Sequence, residues 1–364
     1  MPKTKVLRLT IIGLLLLLGL YWSLASAERA SGESAYPNSR FLVTGSWLME
    51  HLDQDGLLVI DVRTDEHFDN KLIPGAIRLP WSTFRRTDRA GGVADVFVGP
   101  DRAQEILGRH GIGRSSEIVL YDSVERDGGA TASYLFWVLD LLGHERKMIL
   151  ERGIEGWLQA GGEVIKQPAE LEPIVYQAPT EEIDLRRMAD GAFVQSRLGD
   201  PYYQILDVRS QGEYTGEKIN PDLNGQPLKR GHIPGAVNRP YSSSWENEES
   251  KDIKSYAQLQ ELYRGLDTAK TTMTYCHSGR RASFSYFILR LMGFQEVMLF
   301  EGSWNEWGDP DRFFPVETVA STLPAGGLPQ AAPGQAGQKS GRERQPASQT
   351  ESKQPDSGYV SCGG

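Results

Sequence analysis

The chain contains one sequence pattern twice, and this repeat limits the folds open to it. The segment VIDVRTDEHF, residues 59–68, matches ILDVRSQGEY, residues 205–214. Each copy then carries IPGA, and each ends on a gapless match, LLGHERKMILERGIEGW in the first copy and LMGFQEVMLFEGSWNEW in the second. Because the matching segments keep the same order, they indicate a tandem duplication. A length of 364 residues also favours two units, since single cores seldom grow so large.

Short apolar runs in each copy predict buried strands, and longer apolar runs with helical character lie between them. The predicted strands are residues 57–61, 118–122 and 147–150 in the first copy, and 203–207, 271–275 and 297–300 in the second. The predicted helices are residues 131–142 and 281–292. This alternation predicts an α/β fold in which each copy is a mainly parallel sheet flanked by helices. An insertion in the second copy, about residues 215–229, is expected to be a surface loop.

These patterns place the first unit at residues 38–166 and the second at residues 188–316. A segment rich in Pro and Glu lies between them, so residues 167–187 are predicted to be a linker. From residue 317 to 364 the chain is rich in Gly, Pro, Gln and Ser and poor in large apolar residues. That composition predicts a disordered tail.

The N-terminus has the composition of an export signal. Lys3, Lys5 and Arg8 precede nineteen uncharged residues, 9–27, that end in ASA. Positive charge, an apolar stretch and small residues predict a secretory signal peptide, residues 1–27. The alternative is an uncleaved membrane anchor through residues 9–27, since that stretch approaches spanning length. We therefore expect a periplasmic or secreted protein, or one anchored to the outer face of the cytoplasmic membrane.

Composition restricts the partners of this protein. With 39% hydrophobic and 24% charged residues the body is globular, and a formal charge of −9 argues against nucleic-acid binding. An anionic substrate must then be attracted by local cations. Cys276 and Cys362 are the only cysteines, which excludes a disulfide framework. The six histidines and two cysteines form no ligand cluster in the sequence, so we expect neither a metal nor an organic cofactor.

The segment TYCHSGRRAS, residues 274–283, points to chemistry. A predicted strand runs into Cys276 and a helix begins near Arg280 or Arg281, so CHSG connects strand to helix. Such a connection can curl its backbone N–H groups inward as a nest for an anion, and Gly279 permits the positive φ that the curl needs. The helix dipole and the two arginines would stabilise a thiolate and, equally, a persulfide. This assignment requires that solvent reach the thiol.

Together these marks resemble a tandem-domain rhodanese sulfurtransferase of the bacterial thiosulfate sulfurtransferase type. The resemblance covers both copies and rests on DVR, GHIPGAVNRP, the six-residue loop from Cys276 to Arg281, and EGSWNEW. The loop, C-x-x-G-x-R followed by AS, is similar to that of bacterial thiosulfate sulfurtransferases and differs from the CGSGVT loop of mercaptopyruvate sulfurtransferases. The resemblance implies two tandem rhodanese domains.

The resemblance also implies a two-step reaction. Cys276 would attack the sulfane sulfur of thiosulfate, release sulfite and keep a persulfide, from which cyanide or a thiol acceptor would take the sulfur. Arg280 or Arg281 would face the sulfonate of the donor, and Lys229 and Arg230 would approach from the insertion. The implied substrate- and persulfide-binding residues are His277, Ser278, Gly279, Arg280, Arg281 and Arg230.

Asp207 and Arg209 of the DVR motif would pair and support the loop from below. Two positions depart from the family pattern. Glu213 stands where mitochondrial members carry a donor-binding arginine, so donor recognition would depend on the loop arginines. Asp122 stands in the first copy where the second has Cys276. Because a carboxylate cannot form a persulfide, the first copy is predicted to be inactive and to close one wall of the cleft.

Other functions are weighed on the same loop. A phosphatase loop of the C-x5-R type would need an arginine at residue 282, where the chain has Ala282. A non-enzymatic sulfur or polysulfide carrier of the cell envelope would use the same cysteine, and 3-mercaptopyruvate is an alternative donor. His277 is expected to be an exposed side chain rather than a general base. Cys362 is expected to be a stray tail thiol or else a resolving partner of Cys276.

Overall fold

Each copy folds around one five-stranded sheet whose neighbouring strands are all parallel. The computed structural model describes residues 35–88, 93–222 and 224–318. The first sheet contains β1 (Leu42–Val43), β2 (Leu57–Asp61), β3 (Ile77–Arg78), β6 (Glu117–Tyr121) and β7 (Lys147–Leu150), with a separate antiparallel hairpin of β4 (Arg85–Asp88) and β5 (Val93–Phe97). The second sheet contains β8 (Met188–Ala189), β9 (Tyr203–Asp207), β10 (Val237–Asn238), β11 (Thr271–Tyr275) and β12 (Val297–Phe300).

Helices flank both sheets, as expected. Those of the first copy are α1 (Gly45–His51), α2 (Pro100–Arg109), α3 (Val124–Asp127), α4 (Ala130–Leu141) and α5 (Gly153–Gln159). Those of the second copy are α6 (Gly191–Ser196), α7 (Gln211–Thr215), α8 (Tyr256–Leu262), α9 (Arg280–Leu291) and α10 (Ser303–Trp307). The prediction of an α/β fold with two tandem units is therefore confirmed.

The two sheets have the same strand order, β1-β7-β6-β2-β3 in one and β8-β12-β11-β9-β10 in the other. The middle strands, β6 and β11, are buried along nearly their whole length, which explains their continuous apolar sequence. Asp122 and Cys276 each follow one of these middle strands. Ligands bind parallel α/β sheets beyond the carboxyl ends of their strands, so this topology places both residues where a site would form.

Two long helices, α4 and α9, pack against each other between the copies. Every residue of α4 is buried, and so are most residues of α9, which is why neither sequence shows a polar stripe. Phe136 and Phe287 meet edge to face across the contact, with ring centroids 5.1 Å apart. The interface is therefore an apolar core that joins the two copies.

Asp140 supplies the charged centre of this interface. Its carboxylate lies 2.8 Å from the Lys147 ammonium and 3.1 Å from Nε of Arg290, and it accepts a hydrogen bond of 2.5 Å from the Tyr286 hydroxyl. Burial alone would raise the pKa of Asp140, but Lys147 and Arg290 outweigh burial and hold that pKa well below its ordinary value. Since Tyr286 and Arg290 belong to α9, this carboxylate links the two copies.

We predict that Asp140→Asn lowers the free energy of unfolding by about 3 kcal/mol, because two buried cations lose their carboxylate. Urea unfolding followed by circular dichroism measures this loss. Arg102→Met is the control, since it breaks only an exposed Arg102–Glu105 pair and should cost less than about 1 kcal/mol. Equal losses for the two variants would contradict the role given to Asp140.

The signal peptide or anchor predicted for residues 1–27, most of the tail and Cys362 lie outside the described residues. Among residues 35–88, 93–222 and 224–318, no helix has both the length and the apolar character needed to cross a membrane.

Candidate active site

Cys276 lies in a tight connection between β11 and α9. The strand ends at Tyr275, and α9 begins at Arg280 with Gly279 as its N-cap at a φ of 89°. A Cβ at Gly279 would lie 2.9 Å from the backbone oxygen of Glu301, too close for an ordinary contact. The turn that brings Cys276 to the start of α9 therefore needs glycine for its conformation and for its space.

The carbonyl groups of this loop are held from behind by the first turn of α10. Trp304 N–H donates to the Cys276 carbonyl at 3.0 Å, and Asn305 N–H donates to the His277 carbonyl at 2.8 Å. The Cys276 N–H itself donates to Ser303 Oγ at 3.1 Å. The loop is thus fastened to the segment that carries EGSWNEW, the motif that ends the second copy.

The next two carbonyls are also held. Arg85, which belongs to the first copy, donates from Nη2 to the Ser278 carbonyl at 2.7 Å, and Ser283 N–H donates to the Gly279 carbonyl at 2.9 Å. In a planar trans peptide the N–H of the following residue points opposite to the carbonyl. The N–H groups of residues 277–280 therefore point to the side away from these tethers. N–H groups turned away from tethered carbonyls are compatible with an anion nest, which stays a prediction.

Arg281 differs from the expectation. Its guanidinium makes two hydrogen bonds to the carboxylate of Glu213, at 3.0 and 2.9 Å, and both side chains are buried. Burial alone would raise the pKa of Glu213, but the bonds and the charge of Arg281 hold it well below its ordinary value. Glu213 is thus a permanent partner of Arg281, and the expectation that Arg281 faces a donor sulfonate is wrong for this conformation.

Arg280, Arg230 and Lys229, the other cations predicted to bind the donor, lie in three different surroundings. Arg280 is half-buried at the first position of α9. Arg230 is exposed and donates to the Gly216 carbonyl at 3.0 Å, which is a contact within the insertion. Lys229 donates to carbonyls near the end of the second copy, among them that of Phe314 at 3.2 Å. Arg280 is thus a member of the loop itself, while binding roles for Arg280 and Arg230 stay predictions.

His277 and Ser278 are buried, and the expectation of an exposed His277 is wrong. Burial first, and then the charge of Arg281, lower the pKa of His277 to about 4, while the backbone of Pro221 in the insertion acts in the opposite direction. The imidazole is therefore neutral near neutral pH.

The Cys276 residue is only 1% exposed. The thiol was expected to be open to solvent, and in this conformation it is closed. The insertion contacts the carboxylate partner of Arg281, since Asn220 Nδ2 donates to Glu213 Oε1 at 2.8 Å. The insertion itself is a mostly exposed surface loop, as predicted.

Asp207 and Arg209 form the ion pair that the DVR motif suggested. Asp207 Oδ2 lies 2.6 Å from Arg209 Nη2, and the Tyr275 hydroxyl donates to the same oxygen at 2.6 Å. The guanidinium also lies 4.1 Å from the centre of the Trp304 ring and donates to the Gly231 carbonyl at 2.8 Å. The pair thus joins the ends of β9 and β11 to α10 directly beneath the loop.

In the first copy, side-chain carboxylates occupy the equivalent place. Asp122 accepts hydrogen bonds from Thr131 N–H at 3.2 Å, from its hydroxyl at 2.8 Å and from Ala132 N–H at 3.1 Å. Glu155 accepts from the Ser123 hydroxyl at 2.6 Å and from Val124 N–H at 3.0 Å. The first turns of α4 and α3 are therefore already satisfied by anions of the chain itself.

Sequence reasoning missed two functional contacts, those of Arg85 and of Glu213. Glu213 was noticed only as a departure from a family pattern. Arg85 follows the IPGA motif of the first copy at the distance where the second copy has Trp245, so the internal alignment contained a signal. Nothing in the sequence indicated that Arg85 would reach the other copy.

Comparisons with known proteins agree with the duplicated fold. The family described as Rhodanese-like domain matches residues 44–160 and again 192–309. The chain is 31% identical over 299 residues to a thiosulfate sulfurtransferase of Corynebacterium glutamicum, covering 79% of this chain and 93% of that one. It is 29% identical over 281 residues to a sulfur carrier protein of Thermus thermophilus, covering 75% and 95%.

Among solved structures, the chain superposes on an anaerobic ergothioneine biosynthesis enzyme from Chlorobium limicola in complex with trimethyl histidine. The TM-score is 0.65 and the identity 23%, with 78% of this chain and 72% of that one covered. An EanB variant that carries a cysteine persulfide with ergothioneine gives a TM-score of 0.66 at 22% identity, with 78% of this chain and 72% of that one covered. At this level of identity the likeness shows a shared fold.

We predict that Gly279→Ala destabilises the protein by at least about 1 kcal/mol more than Gly265→Ala. Both glycines have a positive φ, of 89° and 96°, so both variants incur backbone strain of about 1–2 kcal/mol. Only at Gly279 would the new methyl group also collide with a backbone oxygen, since Gly265 has nothing within 4 Å. Urea unfolding of both variants measures the difference, and equal losses would contradict the described packing of the loop.

The lowered pKa of His277 predicts a pH dependence of stability. The folded pKa is about 4 and the ordinary value is 6.5, so between these values the unfolded chain binds a proton that the folded one does not. Stability should therefore fall as pH drops below 6.5, with His277 contributing about 2 kcal/mol of the loss by pH 4.5. Urea unfolding of wild type and His277→Gln at pH 7 and 4.5 tests this. The variant should lose less stability than wild type, and equal losses would refute the assignment.

Proposed function

The chain belongs to the rhodanese-like domain family, and we propose that it is a sulfurtransferase that moves sulfane sulfur from thiosulfate through Cys276 to a thiol or cyanide acceptor. The observation that carries this proposal is the loop from Cys276 to Arg281. Its carbonyls are held from behind, so consecutive N–H groups share one side next to the cysteine. The curated relatives named thiosulfate sulfurtransferase support the choice of donor.

In the first step, the Cys276 thiolate attacks the outer sulfur of thiosulfate. A new S–S bond forms, the S–S bond of thiosulfate breaks, and sulfite leaves with the electron pair. The product is a persulfide whose terminal sulfur carries the negative charge, and the N–H groups of residues 277–280 stabilise that charge. In the second step an acceptor attacks the terminal sulfur, and the Cys276 thiolate is released.

Donor entry requires a change at the mouth of the loop, since Cys276 is 1% exposed. We assign this change to the insertion, whose Asn220 bonds to Glu213, the partner of Arg281. Arg280, half-buried at the start of α9, is the loop arginine that we assign to the donor sulfonate. Arg281 supports the loop through Glu213.

The first copy has no persulfide chemistry in this proposal. Asp122 replaces the thiol, and the N–H groups beside it already bind Asp122 and Glu155. The first copy instead forms a wall against the second through α4 and α9. Export of the protein remains a prediction from residues 1–27.

A non-enzymatic sulfur carrier is the second candidate, and two observations favour it. One curated relative is named a sulfur carrier protein, and the buried Cys276 would shield a bound sulfur from solvent. The two functions differ in turnover. An enzyme forms thiocyanate from thiosulfate and cyanide continuously, whereas a carrier loads one sulfur and then stops.

We predict that intact-mass measurement after thiosulfate treatment shows a gain of one sulfur atom in wild type and none in Cys276→Ser. Cys362→Ser is the matched control, because it removes the only other cysteine and should still gain sulfur. Wild type should also turn over, with a higher kcat/KM for thiosulfate than for 3-mercaptopyruvate.

Sulfur gain in Cys276→Ser, or its loss in Cys362→Ser, would overturn the assignment of Cys276. Stoichiometric loading without thiocyanate formation would identify a carrier. A higher kcat/KM for 3-mercaptopyruvate would replace the donor but leave the persulfide in place.

A further inference from the structure

Arg85 reaches from the first copy into the loop of the second. It begins β4, just after the helical turn Trp81–Phe84, and its side chain is only 2% exposed. Its Nη2 donates to the Ser278 carbonyl at 2.7 Å. Its Nη1 is also close to Gly279, since a Cβ atom added to this glycine would lie 3.7 Å from it. A cation of the cysteine-free domain is thus in contact with the backbone that surrounds Cys276.

The surroundings of Arg85 fix its guanidinium in this place. Asp95 lies 2.9 Å from Nε, and Glu301 lies 3.4 Å from Nη2. The rings of Trp81 and Tyr134 lie 5.1 Å from its central carbon, and the Tyr134 hydroxyl donates to Glu301 at 3.0 Å. A planar guanidinium held by two carboxylates and two rings has little freedom to rotate.

This contact determines the direction of one N–H group of the nest. The Ser278 carbonyl and the Gly279 N–H belong to the same planar peptide and point in opposite directions. When Arg85 holds the carbonyl, the Gly279 N–H is held on the side of the nest. The neighbouring carbonyls of His277 and Gly279 are held by groups of the second copy itself, whereas this one depends on the first copy.

The internal repeat provides a comparison for this contact. Counting from IPGA, Arg85 corresponds to Trp245 in the second copy. Trp245 packs on the corresponding loop of the first copy. Its ring lies so close to Gly128 that a Cβ atom added to this glycine would be only 2.4 Å from it. Each copy therefore places this residue on the loop of the other. The residue is an arginine where the loop carries a cysteine, and a tryptophan where it carries Asp122.

We propose that Arg85 is a positioning residue of the sulfur-binding loop, through which the cysteine-free first copy takes part in the reaction at Cys276. It aligns the Gly279 N–H by holding the Ser278 carbonyl. The proposal rests on the proposed sulfur transfer. Arg85 contacts the loop and not the donor, so its removal should lower kcat while KM for thiosulfate stays nearly constant.

The test is steady-state thiocyanate formation by the full chain, with thermal unfolding as a check on folding. Arg85→Met should lower kcat on the order of 100-fold, the usual effect of losing one aligned N–H donor, with KM changed less than about threefold. Arg85→Lys keeps the positive charge but lacks the planar guanidinium, so its kcat should lie between that of Arg85→Met and that of wild type.

Lys251→Met is the matched control. Lys251 belongs to the second copy and donates to the carbonyls of Val124 and Glu125 in the first copy, at 3.0 and 2.7 Å. Like Arg85, Lys251 donates to backbone carbonyls of the other copy, but at the segment that carries Asp122 in place of a cysteine. Its kcat should stay within about twofold of wild type.

The outcomes separate this inference from the proposed function. If wild type gains no sulfur from thiosulfate, both fail. If wild type turns over and folded Arg85→Met has an unchanged kcat, or loses no more than Lys251→Met, the positioning role is refuted and the proposed function stands. Should Arg85→Met fail to fold, Arg85→Lys decides: an unchanged kcat refutes the role, and a reduced kcat at constant KM supports it.

Discussion

Four backbone carbonyls held from behind determine what the loop at Cys276 can bind. Each is fixed by a donor outside the loop, namely Trp304 N–H, Asn305 N–H, Arg85 and Ser283 N–H. Because peptides are planar, fixing these oxygens also fixes four N–H groups on the opposite side. The direction of these peptides is therefore set by the surrounding structure, to which α10 and the first copy both contribute.

The two copies share one architecture but carry different residues at the position where a site would form. Both copies place the end of the middle strand next to a long buried helix. In the second copy that position carries the buried Cys276. In the first copy the carboxylates of Asp122 and Glu155 bind the N–H groups of the corresponding turns. A carboxylate cannot form a persulfide, whereas a cysteine thiolate can.

The strands could be predicted from sequence because they are short, apolar and repeated. Five of the six predicted strands have the observed bounds. The sixth, predicted as 118–122, is shifted by one residue to Glu117–Tyr121, and Asp122 lies outside it and binds the start of α4. The helices begin one residue early, at Ala130 and Arg280, directly after Gly129 and Gly279. Local patterns thus located the loop and its glycine.

Sequence patterns failed where contacts are long-range. The pairing of Glu213 with Arg281 joins residues 68 positions apart, and that of Arg85 with Ser278 joins residues 193 apart. No periodicity reports such a contact. The burial of His277 was missed for the same reason, since it depends on which parts of the chain come together around the loop in the folded protein. A loop arginine looks like a substrate ligand until its carboxylate partner is located.

The balance of charge around the loop has a consequence for anion binding. Arg281 is matched by Glu213, and Arg85 is matched by Asp95 and Glu301. These two arginines therefore add little net positive charge, and the whole chain carries −9. The dipole of α9 and the N–H groups at its start would then contribute most to attracting an anion at this loop. Dipoles act over short distances and do not draw anions from afar, so selectivity at this site should follow from the direction of the N–H groups more than from the number of nearby cations.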